Sequence, residues 1–223
     1  MIGLTRKMGM NRKTVHSYAK AFQGDFGHVR DSLVLEVTWL GNPEPHQKVV
    51  INSFVGTMMQ ETNQQKLIED HQMEPFEVQS QNPTRTICEK IMSLIRFSYS
   101  ENPIQDLKKK IRHVYDLHLL LENQNHREFI ESEDFSNMLH AVATDDIKSY
   151  KNDNKWLREH PKKAVIFSQL KDIWKSLETE YIGDFKNLVY GTLPNPSHVL
   201  QSMEIIQSRI ERIKWEIQLK DGL

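Results

Sequence analysis

The sequence contains a single cysteine, Cys88, among its 223 residues. One cysteine excludes an internal disulfide framework and any metal cluster held by several thiolates, and it is typical of proteins in a reducing compartment. The N-terminus is basic, but the apolar segment that a signal peptide requires does not follow it. The sequence therefore predicts a cytoplasmic protein.

Long apolar runs and an excess of one charge are also lacking. No stretch approaches the roughly 18–20 apolar residues that cross a bilayer, so no membrane contact is predicted. The chain has 29 basic and 30 acidic residues, with a formal net charge of −1. This balance excludes a chain-wide basic surface for nucleic acid but leaves a local basic patch open.

The common catalytic motifs are missing as well. The sequence has no GxGxxG, no Walker loop, no HExxH and no GxSxG, which are the usual signatures of dinucleotide, phosphate, zinc and serine-hydrolase sites. His113 and His118 are five residues apart, which does not suit a metal shared on one helix face. Any chemistry must come from dispersed residues.

Strand-like segments are confined to the first 80 residues. The clearest strand is LVLEVTWL at 33–40, stopped by Gly41-Asn42-Pro43, and weaker patterns predict strands at 47–51 and 75–80. Helices are predicted at 11–23, 52–60, 83–99, 103–122, 132–150, 165–189 and 197–219. The order predicts an α+β fold, mostly α, with an α+β domain at 1–100 and a helical domain at 101–223.

The last predicted helix has a heptad repeat of apolar residues, with Ser197 as its expected N-cap. The repeat consists of Val199, Met203, Ile206, Ile210, Ile213 and Ile217. One interpretation is a stripe buried in a helical bundle, and the other is a seam for a partner helix or a second copy of the chain.

Glu36 is an acidic residue in the middle of the apolar strand 33–40. Because burying an unpaired carboxylate is costly, Glu36 is expected to be paired, to bind a metal or to lie on a solvated sheet face. In the predicted helix at 83–99, Arg85 lies in the first turn and Lys90 in the second. They are either solvated side chains or contacts to phosphate oxygens near the helix N-terminus.

A basic run, KKKIR at 108–112, precedes Asp116. Asp116 is four residues after Arg112, so one interpretation is a local ion pair. Because the apolar segment Leu-His-Leu-Leu-Leu follows, Asp116 is also expected where the helix enters the core. The basic run is either a solvated face or a contact to RNA or phosphate.

Taken together, three segments resemble the AbiEii/AbiGii-type nucleotidyltransferase toxins of bacterial toxin–antitoxin and phage-abortive-infection systems. LVLEVTWLGNPEPHQKVVINSFV (33–55) resembles the acidic strand and the "WLG…P…I.S" segment of that family. PTRTICEKIMSLIRFS (83–98) resembles its "RT..EK…L" helix, and KIRHVYDLHLLL (110–121) resembles its "R.(K/R)(D/H).YDL..L" helix. The resemblance covers roughly residues 30–125 and implies a partial nucleotidyltransferase-like sheet followed by a helical bundle.

The resemblance implies transfer of a nucleotidyl group from an NTP with the help of Mg²⁺. It assigns a metal-binding role to Glu36 and a triphosphate contact and catalytic role to Lys90. Asp116 would either orient or activate the acceptor, or hold Lys90 or Arg112 in place. Arg85 and Arg112 are further candidates for the nucleotide site. If these roles hold, Glu36, Lys90 and Asp116 should converge on one cleft. A tRNA 3′ end is one candidate acceptor, and an antitoxin is a candidate protein partner.

One part of the family pattern is missing. The family has a Gly-Ser or Gly-Gly loop and an Asp-x-Asp pair before the acidic strand, and this sequence has neither. We therefore expect a truncated or degenerate member that is inactive by itself. The acidic positions to test for a second metal ligand are Glu69, Asp70 and Asp145-Asp146. The alternative is a non-catalytic module that binds an antitoxin or RNA, and a third hypothesis is an unrelated helical protein.

Overall fold

The computed structural model divides the chain into two units. The smaller unit is Pro43–Asn82, and the larger unit comprises Met1–Asn42 and Pro83–Leu223. The residues described are 3–7, 11–19, 32–38, 42, 44–148 and 154–217. The division does not coincide with the boundary predicted at residue 100, because the helix at Pro83–Ser98 packs against helices that follow it in the chain.

An antiparallel sheet with the strand order β1-β2-β3 begins the larger unit. Its strands are β1 at Gly3–Lys7, β2 at Asn11–Ser17 and β3 at Ser32–Thr38. β3 confirms the strand predicted at 33–40, of which residues 39–40 lie outside the described residues. In the register of β2 and β3, Glu36 pairs with Lys13.

The helix predicted at 11–23 is wrong over residues 11–17, which form β2. The segment Asn-Arg-Lys-Thr-Val-His-Ser has only a weak local preference. It is held as a strand because β1 and β3 pair with it on both sides. Strand propensity depends strongly on such neighbours, and here they outweigh the local pattern. Residues 20–23 of that prediction lie outside the described residues.

The smaller unit contains a two-stranded antiparallel sheet and two short helices. β4 at His46–Ile51 pairs with β5 at Phe76–Gln81, and α1 at Phe54–Glu61 and α2 at Gln65–Asp70 lie between them in the chain. The strands predicted at 47–51 and 75–80 and the helix predicted at 52–60 are confirmed. Among residues 44–82, only Gly56 and Ile68 are buried, so this unit has almost no apolar core of its own.

The helices of the larger unit surround one apolar core. They are α3 at Pro83–Ser98, α4 at Pro103–Lys108, α5 at Ile111–Leu121, α6 at Gln124–Glu131, α7 at Glu133–Lys148, α8 at Val165–Ser168, α9 at Leu170–Ile182 and α10 at Pro196–Arg212. α3 packs against α4, α5 and α7. Its residues Ile87, Ile91 and Leu94 are completely buried, as their helical spacing predicts. The α+β class with mostly helical content is confirmed.

The single helix predicted at 103–122 divides at Lys109-Lys110 into α4 and α5. Leu107 and Ile111, on either side of the break, are both buried, whereas Ile104 is 43% exposed. The break thus changes which apolar residues face the core. The helix predicted at 165–189 also divides, into α8, α9 and a 3-10 segment.

The heptad stripe of the last helix is part of the core. Val199, Met203, Ile206 and Ile210 on α10 are fully buried, and α10 packs against α5 and α9. The interpretation as a buried bundle stripe is confirmed, and the seam for a partner helix is wrong because the chain's own helices cover it.

Both ends of this helix also differ from the prediction. The N-cap is Asn195, whose Oδ1 accepts a hydrogen bond from the backbone N–H of Ser197 at 2.9 Å, rather than Ser197 itself. The helix stops at Arg212, so Ile213 and Ile217 follow it, and residues 218–219 lie outside the described residues. Among the residues described, no helix combines the length and apolar character needed to cross a membrane.

Candidate functional site

A cavity of about 490 Å³ lies in the larger unit, a size typical of small-molecule sites. Its wall is formed by residues of the strands β2 and β3, by Asn42, and by residues of the helices α3, α5 and α7. The lining residues are Asn11, Glu36, Thr38, Asn42, Arg85, Thr86, Glu89, Lys90, Ser93, Arg96, His113, Val142, Asp145 and Asp146. Three of the residues predicted from the sequence, Glu36, Arg85 and Lys90, are among them.

α3 presents its polar face to this cavity and its apolar face to the core. Arg85, Glu89, Ser93 and Arg96 recur every three or four residues and line the cavity, as one face of a helix requires. The opposite face includes Ile91, which is completely buried. The same helix therefore sets the position of the cavity wall and anchors the core.

Glu36 reaches the cavity from β3. It is exposed, and its Oε1 accepts a hydrogen bond from Asn11 Nδ2 at 2.9 Å. The Glu36 carboxylate thus lies on a solvated sheet face, one of the positions predicted for it. Because it is exposed, folding carries no desolvation cost for its charge. Leu33, Leu35 and Val37 alternate with Glu36 along the strand and are themselves 55–65% exposed.

Lys90 and Asp116 form an ion pair between α3 and α5. The distance from Lys90 Nζ to Asp116 Oδ2 is 2.7 Å, and the two side chains are 19% and 23% exposed. Arg112 Nε lies 3.7 Å from the same carboxylate oxygen, but its side chain is 79% exposed. Among the described lining residues neither Asp116 nor Arg112 is found, so Asp116 is connected to the cavity through Lys90.

Arg85 is the buried cation of the cavity wall, with 3% exposure. Its Nε donates to Glu89 Oε1 at 2.9 Å, and its Nη2 donates to Asp145 Oδ2 at 2.8 Å. Burial by itself would lower the pKa of Arg85, but the hydrogen bonds to Asp145 and Glu89 outweigh it and raise the pKa. Arg85 is therefore fully charged and already paired with carboxylates.

Asp145 and Asp146 come to the cavity from α7. Asp145 Oδ2 also accepts a hydrogen bond from Asn42 Nδ2 at 3.1 Å, and Asp146 Oδ1 lies 3.9 Å from Arg96 Nη1. The sequence marks these two aspartates only as acidic positions worth testing, because α7 is far from β3 in the chain. Glu69 and Asp70, the other two acidic positions, lie on α2 in the smaller unit.

His113 lines the cavity one turn before Asp116, and its Nδ1 is shielded from solvent without a hydrogen-bond partner among the described residues. Burial, followed by the charges of Lys90 and Lys110, lowers the pKa of His113 to about 4. The imidazole is therefore neutral at pH 7. In the sequence, His113 is a candidate only as a metal ligand, and the one signal of a role in the cavity is its position three residues before Asp116.

The residues described do not fit a Mg²⁺ site. Within the part of the chain that the structure describes, no group of three His, Cys, Asp or Glu side chains could hold a metal ion. Asp145 instead pairs with Arg85, and Asp146 lies near Arg96. The metal-binding role assigned to Glu36 remains a prediction, as do the roles of Lys90, Asp116, Arg85 and Arg112.

Comparison with known proteins gives one family. A family model described as "Nucleotidyl transferase AbiEii toxin, Type IV TA system" matches residues 5–203. This is wider than the resemblance over 30–125 and includes the sheet strand β2 and the first half of α10. No curated protein and no solved structure matches the chain significantly.

Proposed function

The chain belongs to the AbiEii nucleotidyl transferase toxin family of type IV toxin–antitoxin systems, and we propose that its cavity binds the phosphates of an NTP. In this proposal Lys90 contacts the triphosphate and Asp116 holds the Lys90 side chain in position. Arg85 is a further phosphate contact. In a family member that also holds the metal ions, the nucleotidyl group would pass to an acceptor such as a tRNA 3′ end. A cytoplasmic location is part of the same proposal.

The observation that carries this proposal is the meeting of three distant segments. Glu36 on β3 and Lys90 on α3 line one cavity, and Asp116 on α5 forms an ion pair with Lys90 at 2.7 Å. These are the three residues that the family resemblance marks as functional. An ammonium group held by a carboxylate at a cavity wall is well suited to bind a phosphate oxygen.

Transfer chemistry in this family implies a divalent cation, which binds best to several carboxylate oxygens. Because the described carboxylates do not form such a site, the described residues support phosphate binding through Lys90 and Arg85 and do not support transfer. We therefore propose that the 223-residue chain by itself does not transfer nucleotides. Incubation with α-³²P-labelled NTPs and total RNA should give no labelled product in Mg²⁺ or Mn²⁺. Labelling that is lost in Asp116→Ala would contradict this proposal.

Phosphate binding is tested by calorimetry with millimolar NTP at low ionic strength. The unchanged chain should bind NTP weakly, Lys90→Ala should weaken this binding, and added salt should weaken it further because the attraction is electrostatic. Lys175→Ala is the matched control, since Lys175 is 77% exposed and pairs only locally with Asp172 among the contacts described. The absence of NTP binding in the unchanged protein would contradict the proposed function.

A non-catalytic interaction module is the second candidate, and the basic run 108–112 favours it. Lys109 and Arg112 are 73% and 79% exposed, so their charges can reach a phosphate backbone or an acidic antitoxin surface. If this is the function, RNA or antitoxin binding should be salt-dependent and sensitive to Lys109→Ala. It should not require Lys90.

A further inference from the structure

An aromatic pair lies at the surface of the larger unit, just after the end of α3. The rings of Tyr99 and Trp156 are stacked, with their centroids 6.5 Å apart and an angle of 26° between their planes. Tyr99 is 38% exposed, and Trp156 is half-buried and packs against the core. The pair therefore forms an aromatic surface that the core holds in place and that solvent reaches in part.

Exposed cations lie on both sides of Trp156 in the chain. The segment 154–163 is NKWLREHPKK, and four of its exposed side chains are cations: Lys155, Arg158, Lys162 and Lys163. Lys155–Arg158 is a 3-10 helix, in which residues three apart lie on the same side, so the cations at its two ends share one side. Glu159, the acid of this segment, pairs with Lys163 at 2.7 Å. The segment thus presents a surplus of positive charge next to the aromatic pair.

Two hydrogen bonds connect this surface to the wall of the cavity. The backbone N–H of Tyr99 donates to the carbonyl oxygen of Arg96 at 3.1 Å, and Asn154 Nδ2 donates to the carbonyl oxygen of Asp146 at 3.2 Å. Arg96 and Asp146 both line the cavity. A ligand on the aromatic pair would therefore lie next to the candidate site.

We propose that Tyr99, Trp156 and the cations of the segment 154–163 bind a single-stranded nucleic acid. Unpaired bases stack on aromatic rings, and the phosphates between them attract exposed lysine and arginine side chains, so this ligand uses both kinds of group that meet here. A double helix keeps its bases stacked inside and offers the surface its phosphates alone. Because this surface is separate from the proposed phosphate site at Lys90, the inference goes beyond the proposed function.

A packing role for the aromatic pair makes a different prediction. If Tyr99 and Trp156 only cover the core, a folded Tyr99→Leu variant should bind nucleic acid as the unchanged protein does. If a base stacks on Tyr99, Tyr99→Leu weakens the binding, and Tyr99→Phe retains it because stacking needs the ring and not the hydroxyl group. A nucleic-acid site at the basic run 108–112 instead predicts a loss in Lys109→Ala and no dependence on Tyr99.

The experiment measures the affinity of the full chain for a short fluorescein-labelled oligoadenylate RNA by fluorescence anisotropy at low salt. We expect about tenfold weaker binding in Tyr99→Leu, in line with the contribution of one stacked base, and unchanged binding in Tyr99→Phe. Tyr190→Leu is the matched control, since Tyr190 is 91% exposed and should not contribute. Circular dichroism shows whether each variant is folded. Equal affinity of folded Tyr99→Leu and the unchanged protein overturns the inference.

The role of the cations is tested by salt dependence, which does not require Tyr99→Leu to fold. Lys155→Gln/Lys162→Gln removes two cations. The slope of the logarithm of the affinity against that of the salt concentration should therefore become shallower by about 1.4. Lys171→Gln/Lys175→Gln removes two lysines of α9 that are 79% and 77% exposed, and it should keep the slope. An unchanged slope in the first variant overturns the inference, as does binding of a duplex as tight as that of the single strand.

The outcome is separable from the test of the proposed function. The described residues that line the cavity do not include Tyr99, so Tyr99→Leu should leave NTP binding in calorimetry unchanged. Failure of the unchanged protein to bind NTP contradicts the proposed function and leaves this inference intact. Failure of the unchanged protein to bind the oligonucleotide overturns this inference and leaves NTP binding intact.

Discussion

The helical part of the larger unit and the smaller unit reach their folded states by different means. α3 alone contributes Ile87, Ile91, Leu94 and Ile95 to the core, each at most 1% exposed. In contrast, Ile68 is the one buried apolar side chain among residues 44–82, and Phe54 is 84% exposed. Hydrophobic burial thus stabilises the helical part, whereas the smaller unit depends on strand pairing and helix capping.

The largest expected effect lies in the core of α3. Ile91→Ala should lower the free energy of unfolding by about 2–5 kcal/mol, because it removes buried apolar surface and leaves a cavity. Urea denaturation followed by circular dichroism measures this change. Phe76→Ala in β5 is the control, since Phe76 is 58% exposed, and it should cost much less. Similar losses in the two variants would break the contrast between the units.

A second effect concerns the pH dependence of stability, which we expect to arise in the larger unit. The pKa of His113 is about 4 in the folded chain, against 6.5 for an ordinary histidine. Between these values the unfolded chain binds more protons, so stability falls as the pH falls from 6.5 to 4. The loss should reach up to about 3 kcal/mol.

His113→Gln should flatten this pH dependence, because glutamine does not titrate. Thermal unfolding at several pH values between 4 and 7 measures the change, with His126→Gln as the control. An unchanged slope in His113→Gln would show that His113 does not remain neutral in the folded protein.

The smallest effect is expected at the start of α1. Ser53 Oγ accepts a hydrogen bond from the backbone N–H of Gly56 at 2.9 Å, and Ser53→Ala should cost about 1 kcal/mol. Hydrogen exchange in residues 54–61 should increase while the exchange of α3 amides stays the same. Ser53→Asp, which can also cap the helix, should retain protection. Faster exchange in α3 would indicate that the two units unfold together.

The elements with strong local patterns could be predicted from the sequence. The β-branched residues predict β3, and the helical spacing of apolar residues predicts α3. The heptad repeat predicts the buried face of α10. β2 could not be predicted, since its strand character comes from pairing with β1 and β3. The break at Lys109-Lys110 was also missed, because the apolar spacing continues nearly unchanged across it.

The candidate site could also be predicted from the sequence only where a local pattern marks its residues. Glu36, Arg85 and Lys90 stand in recognisable segments, and the ion pair of Lys90 with Asp116 brings two of these segments together. The contact of Arg85 with Asp145 spans 60 residues, and no local spacing indicates it. His113 Nδ1 has no hydrogen-bond partner among the residues that the structure describes. This is a property of its packed surroundings, so it could be found only in the folded structure.

The double use of α3, as a wall of the cavity and as the centre of the core, makes ligand binding measurable as a change in melting temperature. A compound that binds only the intact cavity stabilises the folded state by mass action, by roughly 2.7 kcal/mol at a hundred times its dissociation constant. Because the cavity is lost when α3 unfolds with the core, this gain should appear in the main unfolding transition. A fluorescence-based thermal screen of nucleotides, polyphosphates and metal ions could therefore identify the ligand without any assay of activity.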